Sequence, residues 1–374
     1  MKIGSIYTIA GAGSGEPGFG GDGGDARSAT LNEPKGLAVD RKGNIYIADT
    51  ENCLIRSVDT KGYISTIAGS IHTHGASGGE AEEMMFQREL GKVPRKEGLP
   101  SDSIGDNGPA RSARLRFPSA IAVDDAGNIY IADTYNHRVR KLDIVSGIIT
   151  TVAGNGQDAF GGDDRQATEA SLSEPSGIAI DRNGDIFIAD LMNHKIRKVD
   201  AATGVITTVA GSGNGSFSGD NGPAIYAGLA GPSGVAVDNE GNIFIADTFN
   251  NRIRMIDKET GFISTIAGDE NVFRIGDKES SEKSLSRPYA IAIDSKGDIY
   301  TTDSDNHMIR KLDRKTGEIV AIAGNGKTGS SPDDSLANEA SLNYPFGIAI
   351  DSEDNIYIAD TFNHTIKKVI IKEI

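Results

Sequence analysis

Apolar residues in this chain come in short runs, and the runs themselves recur. One run, Pro34-Lys35-Gly36-Leu37-Ala38-Val39-Asp40, has equivalents opening at Pro118, Pro175, Pro232, Pro288 and Pro345, at spacings of 84, 57, 57, 56 and 57 residues. A second marker, Ile-Ala-Asp or a close variant, ends at Asp49, Asp133, Asp190, Asp247, Asp303 and Asp360 and keeps the same spacings. Two markers in lockstep define six copies of one unit. In the fourth copy, residues 234–237, 242–246, 252–256 and 262–267 are short runs rich in β-branched residues. Turns containing Gly, Asp and Asn separate them, which reads as an antiparallel meander, with Gly241 where a left-handed residue is needed. Four such strands per copy predict an all-β fold, a six-bladed β-propeller of four-stranded antiparallel blades.

The two ends of the chain are complementary. The last copy offers three strands and no fourth, whereas Ser5-Ile6-Tyr7-Thr8-Ile9-Ala10-Gly11 matches Ser264-Thr265-Ile266-Ala267-Gly268. The N-terminal strand is therefore expected to join the last blade, which closes the ring and removes exposed edges. The expectation is one propeller domain over 1–374, with blades at 34–69, 118–154, 175–211, 232–268, 288–324 and 345–370 and with 1–11 as the missing strand. The first spacing is 27 residues longer than its neighbours, which marks 70–103 as an insertion between the first and second blades. Its section 80–90 reads as a short helix with Ser77 as cap, acids in the first turn, and Gly91 and Pro94 beyond its end. Met84, Met85, Phe86 and Leu90 then need burial on the top face or on a partner.

An apolar strand, Asp-Thr-x-Asn and a strand alternating with basic residues resemble the NHL repeat. Tyr135-Asn136-His137-Arg138-Val139-Arg140 and Met192-Asn193-His194-Lys195-Ile196-Arg197 carry the Asn-His pair for which that family is partly named. The resemblance covers the chain apart from the insertion and implies a six-bladed propeller. It constrains function loosely, because a fold does not fix function. The family includes peptide- and protein-binding modules, RNA-binding domains and a few lyases.

Residues present in all six copies cannot mark a single site. The Asp ending each second strand and the Asn three residues later are expected to bond exposed turn amides. Asp22, Asp163 and Asp220 each precede a repeated proline by twelve residues in loops opening with Phe19, Phe160 and Phe217. They read as turn anchors: the loops lack a phosphate-loop lysine and carry too few acids for calcium. His137, His194, His307 and His364 share one repeat position, which Cys53 and Asn251 fill in the other two copies. Ring geometry keeps such residues too far apart to share a zinc ion, whose ligands lie at about 2 Å. His72 and His74 read as exposed loop residues. No metal and no cofactor is expected.

Composition narrows the partners. Acids outnumber bases by 53 to 38, for a net charge of −15, and no long basic run offsets this, which disfavours nucleic acid. With 47 Gly, no Trp and 6% aromatics, the core must come from Ile, Val, Leu and Ala. The single cysteine, Cys53, allows no internal disulfide and fits a reducing compartment. No apolar stretch of signal-peptide or membrane-span length occurs, so a soluble, cytoplasmic monomer without a membrane partner is expected, unless a leader has been removed.

Positions that vary inside the fixed frame are the binding candidates. The residue after each repeated proline should ring the channel mouth: Lys35, Ser119, Ser176, Ser233, Tyr289 and Phe346. The residue before it is Glu33, Phe117, Glu174, Gly231, Arg287 or Tyr344, and the residue before the turn Asn is Glu51, Tyr135, Met192, Phe249, Asp305 or Phe362. Tyr289, Tyr344, Phe346 and Phe362, with Phe249 nearby, are expected to form an aromatic patch, to which Lys35 and Arg287 add charge. Such a groove suits an acidic or amphipathic peptide or a stacked sugar; the opposing reading packs these rings under neighbouring loops. None of the six first strands opens on a His, and no nucleophile elbow appears. The leading expectation is therefore a non-catalytic binding or scaffold propeller for a peptide, protein or glycan. The alternative is a metal-dependent lyase or hydrolase with an axial metal, for which Glu33 and Glu174 are the nameable axial acids.

Overall fold

The computed structural model describes residues 4–13, 15–70, 99–100, 103–269 and 284–370. Each copy is an antiparallel sheet, and six sheets stand around one axis. In the fourth blade the strands, from the channel outward, are Pro232–Val237, Ile243–Asp247, Arg252–Ile256 and Phe262–Ala267. The innermost strand of each blade touches those of both neighbours. In the fourth blade this approach needs glycine: a Cβ on Gly234 would lie 2.5 Å from Tyr289 O of the next blade.

The core is divided among the six blade-to-blade interfaces. Second strands are buried on both faces, so all five residues of Ile45–Asp49 are buried and polar alternation disappears. Ile45 and Ile47 pack toward the sixth blade, while Tyr46 and Ala48 pack toward the second.

Ser5–Ala10 completes the last blade, as the complementary ends required. It pairs with Thr365–Val369, with Ile6 opposite Val369 and Thr8 opposite Lys367. Every blade has the four expected strands, and four of the six sheets gain a short fifth. The two-residue strands Gly108–Pro109, Arg165–Gln166, Gly222–Pro223 and Ser335–Leu336 cover the outer edges of the second, third, fourth and sixth blades. In the first blade the contact is a single bridge, Asp25 to Tyr63. Two residues carry no periodicity, yet they blunt an edge that would otherwise template aggregation. The helix expected over 80–90 lies outside the described residues.

The repeated carboxylates accept from backbone amides of the blade-to-blade loops, but these are not exposed: all six aspartates are buried, and those of the first five blades are also ion-paired. Asp49 Oδ1 accepts from Asn32 N at 2.7 Å, and its Oδ2 accepts from Asn52 Nδ2 at 2.9 Å and from Arg56 Nη1 at 3.2 Å. Arg56 Nη2 reaches on to Asp22 at 2.7 Å, and the Phe19 ring lies 5.0 Å from its guanidinium carbon. The same Asp–Arg–Asp relay joins Asp133, Arg140 and Asp106, then Asp190, Arg197 and Asp163, then Asp247, Arg254 and Asp220. Asp303 pairs with Arg310 in the fifth blade. In the sixth, Lys367 stands at the arginine position and donates to Thr8 Oγ1 at 2.8 Å, while Asp333 binds Thr8 N and Arg27. Burial raises the carboxyl pKa of Asp49, Asp190 and Asp303 to about 6, against the opposing pull of their partners. Asp360, which lacks an arginine, rises to about 7.

Two predictions follow from this frame. Deleting residues 1–11 exposes the edge of Thr365–Val369 and opens the ring, so the truncated chain is expected to melt earlier or aggregate on refolding; an unchanged melting temperature overturns strand-shared closure. Arg254→Met leaves Asp247 buried without its cation and is expected to lose about 3–5 kcal/mol in urea unfolding at pH 8. A carboxyl with a raised folded pKa binds its proton more tightly when folded, so its contribution to stability grows as pH falls. The Arg254→Met loss should therefore be smaller at pH 5.

Candidate functional site

The loops at the channel mouth are clamped residue by residue. The residue before each repeated proline lies in the left-handed region, with φ of 46° at Glu33, 49° at Phe117, 52° at Glu174 and 48° at Tyr344. Its amide donates to the preceding blade. Glu33 N bonds His364 Nδ1 at 3.0 Å, Glu174 N bonds His137 Nδ1 at 3.2 Å, Gly231 N bonds His194 Nδ1 at 3.0 Å, and Tyr344 N bonds His307 Nδ1 at 3.2 Å. Where histidine is missing, Asn251 Oδ1 accepts from Arg287 N at 2.9 Å and Cys53 Sγ from Phe117 N at 3.5 Å. The repeat position thus requires an acceptor lone pair, which neutral imidazole, amide and thiol all supply. Burial lowers the pKa of His307 and His364 and raises the Cys53 thiol to about 11.

A second ring of hydroxyls ties each blade to the next. Thr50, Thr134, Thr248, Ser304 and Thr361 donate to the carbonyls of Pro118, Pro175, Pro288, Pro345 and Pro34 at 2.7–3.0 Å. The third blade has Leu191 at this position, and there Ser176 Oγ takes over, 3.4 Å from Pro232 O and 3.2 Å from Ser233 O. The visible sequence signal for this ring was a hydroxyl residue after the strand-ending Asp in five copies.

Within this rim lies a cavity of about 130 Å³. All six residues that follow the repeated prolines line it, above the apolar strand residues Leu37, Ile121, Ile178, Val235, Ile291 and Ile348. One side carries serines whose hydroxyls are engaged in the frame, Ser119 with Thr134 at 2.6 Å and Ser233 with Tyr289 O at 2.8 Å, together with the rings of Phe117 and Tyr135 from the second blade. The other side carries Tyr289, Phe346 and Lys35. Phe346, 3% exposed, is the hub of the aromatic group. Its ring lies 4.4 Å from Tyr289, 6.0 Å from Phe362 and 6.4 Å from Tyr344, and Tyr344 and Phe362 are 5.3 Å apart. Tyr289, Tyr344 and Phe362 are half-buried. Lys35 Nζ stands 5.4 Å from the Phe346 ring centroid.

Two expected members sit apart. Phe249 makes no ring contact with the group; it fills the space over Gly231, where a Cβ would collide with its ring. Arg287 brings no free charge, because Nε lies 2.8 Å from Asp305 Oδ1 and Nη2 2.7 Å from the same atom. A within-blade pairing explains both. The pre-proline residue meets the turn residue eighteen positions later, as in Arg287 with Asp305, Tyr344 with Phe362, and the unforeseen pair Phe117 and Tyr135 at 5.2 Å. Glu33 and Glu174 are buried, at 3% and 1% exposure, on the first and third blades. Among the described residues, no three His, Cys, Asp or Glu side chains converge as a metal site, and no helix is long and apolar enough to cross a membrane.

Family profiles agree with this geometry. The profile of the teneurin NHL domain matches residues 14–87, 156–217 and 214–274, and that of the NHL repeat matches 115–142 and 342–369. The chain belongs to the NHL-repeat family. It is 32% identical over 276 residues to the chloroplastic protein SUPPRESSOR OF QUENCHING 1 of Arabidopsis thaliana, covering 70% of this chain and 26% of that protein. It is 31% identical over 314 residues to NHL repeat-containing protein 2 of Bos taurus, covering 73% and 42%. The chain thus spans less than half the length of these NHL relatives. Among solved structures it shares the propeller fold with an auxiliary nutrient binding protein of Bacteroides thetaiotaomicron, at TM-score 0.65 and 18% identity over 100% of this chain and 78% of that one. A streptogramin B lyase superposes at TM-score 0.52 with 15% identity, covering 91% and 94%, and a gluconolactonase of Xanthomonas campestris at 0.57 with 10%, covering 98% and 89%.

The shared NHL histidine is therefore a blade-to-blade acceptor in this chain. The folded pKa of His364 is lowered by burial, so its contribution is complete above the unfolded-state value of about 6.5 and is lost as pH falls through the folded value. His364→Ala leaves the Glu33 amide without its acceptor and is expected to cost about 1–3 kcal/mol at pH 7.5. His364→Asn should recover much of that and should flatten the fall in melting temperature between pH 7.5 and pH 5.

Proposed function

We propose that this NHL propeller is a non-catalytic binding module that seats a peptide, protein or glycan ligand at the channel mouth. One observation carries the reading: in a frame that repeats six times, Tyr289 and Phe346 line the cavity from the fifth and sixth blades, with Tyr344 and Phe362 packed against Phe346 and Lys35 beside it. Half-buried rings already packed in tilted and edge-on pairs present flat apolar area that loses little freedom on binding. Tyr289 and Phe346 line the cavity, and Tyr344 and Phe362 pack against Phe346 and extend the apolar area beside it. The four repeat-position histidines commit Nδ1 to backbone amides, which supports binding over acid–base chemistry. The lyase and the gluconolactonase share the fold with this chain, and nothing at the mouth favours either reaction.

The test is a matched pair of double variants screened on peptide and glycan arrays. Tyr289→Ala with Phe362→Ala is expected to lose at least about tenfold in affinity, roughly 1.4 kcal/mol. Phe249→Ala with Tyr226→Ala removes two rings that do not line the cavity and should keep binding. Equal losses in the two, or full retention in the first, would sink the aromatic-site reading.

A further inference from the structure

We infer that the mouth takes a ligand carboxylate and that Lys35 is its counter-ion. This inference rests on the binding reading above and names the chemistry of what is bound. A buried charge needs a partner, because burial without one is unfavourable by several kcal/mol. The other buried cations of the described residues obey this rule. Arg56, Arg140, Arg197, Arg254 and Arg310 meet aspartates. Arg138 meets backbone carbonyls, Lys311 meets Asp294 and Asp298, and Lys367 meets Thr8. Lys35 is 9% exposed, and its ammonium contacts the face of Phe346. No carboxylate of the described residues lies within ion-pair distance of it.

The frame does not require a lysine there. The same position is Ser in three blades, Tyr in one and Phe in one, and the blades close equally well. Among the described residues, Lys35 is also the one Lys or Arg side chain that lines the cavity. Its neighbours decide the rest of the ligand: Phe346 and Tyr289 flank the ammonium with flat apolar surface, so the carboxylate should end an aromatic or aliphatic body. Glu174 lines the same cavity from the third blade. Like-charge repulsion from it orients the bound anion with its carboxylate toward Lys35. The chain carries a net charge of −15, so long-range steering opposes an anion and the attraction must be this local pairing.

Carboxylates of this kind come from free small acids or from the ends of peptide chains, and two probes separate the sources. Benzoate stands for the first and acetyl-Gly-Gly-Phe for the second, each with its primary amide as the neutral control. Titrations of the whole chain, followed by NMR shifts at the mouth, are expected to show at least one acid binding at millimolar concentration and its amide at least tenfold more weakly. The tighter acid identifies the source. Lys35→Met should bind acid and amide alike without a lower melting temperature, and Lys35→Arg should restore the preference. The inference is overturned if acid and amide bind the wild type alike, if neither acid binds at about 10 mM, or if Lys35→Met melts earlier and keeps the preference. Acid and amide binding alike, with both lost in the Tyr289→Ala and Phe362→Ala double variant, removes the carboxylate and leaves the aromatic site standing.

Discussion

Everything at the mouth depends on two consecutive backbone amides in each blade-to-blade loop. In the first blade Asn32 N is held by Asp49 of the same blade and Glu33 N by His364 of the preceding one. The pattern recurs in every blade, ending with Asn343 N on Asp360 and Tyr344 N on His307. One bond fixes the loop to its own sheet and the next fixes it to its neighbour. The chain between them enters the left-handed region, which non-glycine residues adopt only when the surroundings over-determine it. Proline then starts the innermost strand, and the residue after proline is delivered to the channel. The clamp is built from conserved geometry within the repeat, so the displayed residue is free to change from blade to blade.

The two halves of the clamp respond to pH in opposite directions. Raised carboxyl pKa values favour the folded state as pH falls, while lowered histidine values disfavour it. The carboxylates are kept ionisable by the Asp–Arg–Asp relay, which spreads a buried charge over three side chains and ends on a partly exposed aspartate such as Asp22. The relay also explains the loop phenylalanines: Phe19, Phe160 and Phe217 cover Arg56, Arg197 and Arg254 with their ring faces. Each remains about two-fifths to one-half exposed, which in isolation reads as a binding residue. Here the ring shields a guanidinium.

Periodicity made the fold legible, because a meander of short strands is specified locally by its turns and by β-branched runs. Ring closure was legible for the same reason, since a missing strand at one end and a surplus strand at the other are visible in the pattern. Contacts between distant positions were not. Nothing local tells that Asp49 bonds an amide seventeen residues earlier, so the expectation of a bonded turn amide held while its exposed, local setting did not. The histidine position held a better clue. Cys53 and Asn251 replace histidine there, and the property the three share is an acceptor lone pair. At the site, the period placed all six after-proline residues around the cavity. It did not resolve which neighbours pair, although the eighteen-residue offset shared by Arg287 with Asp305 and Tyr344 with Phe362 was present in the repeat.

A sixfold frame offers six equivalent positions at its mouth, so a ligand without sixfold symmetry needs the frame to be broken. Three breaks fall around the same cavity. Leu191 interrupts the hydroxyl ring in the third blade and adds apolar wall. The fifth and sixth blades substitute rings where the second to fourth have serine, and those rings meet one another instead of facing separately into solvent. The first blade substitutes a cation, and that cation lies on an aromatic face rather than on an acid. Serines bonded into the frame stand with the Phe117 and Tyr135 rings on one side, and Tyr289 and Phe346 stand with an ammonium on the other, so the two walls differ in charge. For the binding reading proposed above, a cavity of this kind would orient its ligand, and walls already packed into the frame would leave little ordering to oppose association.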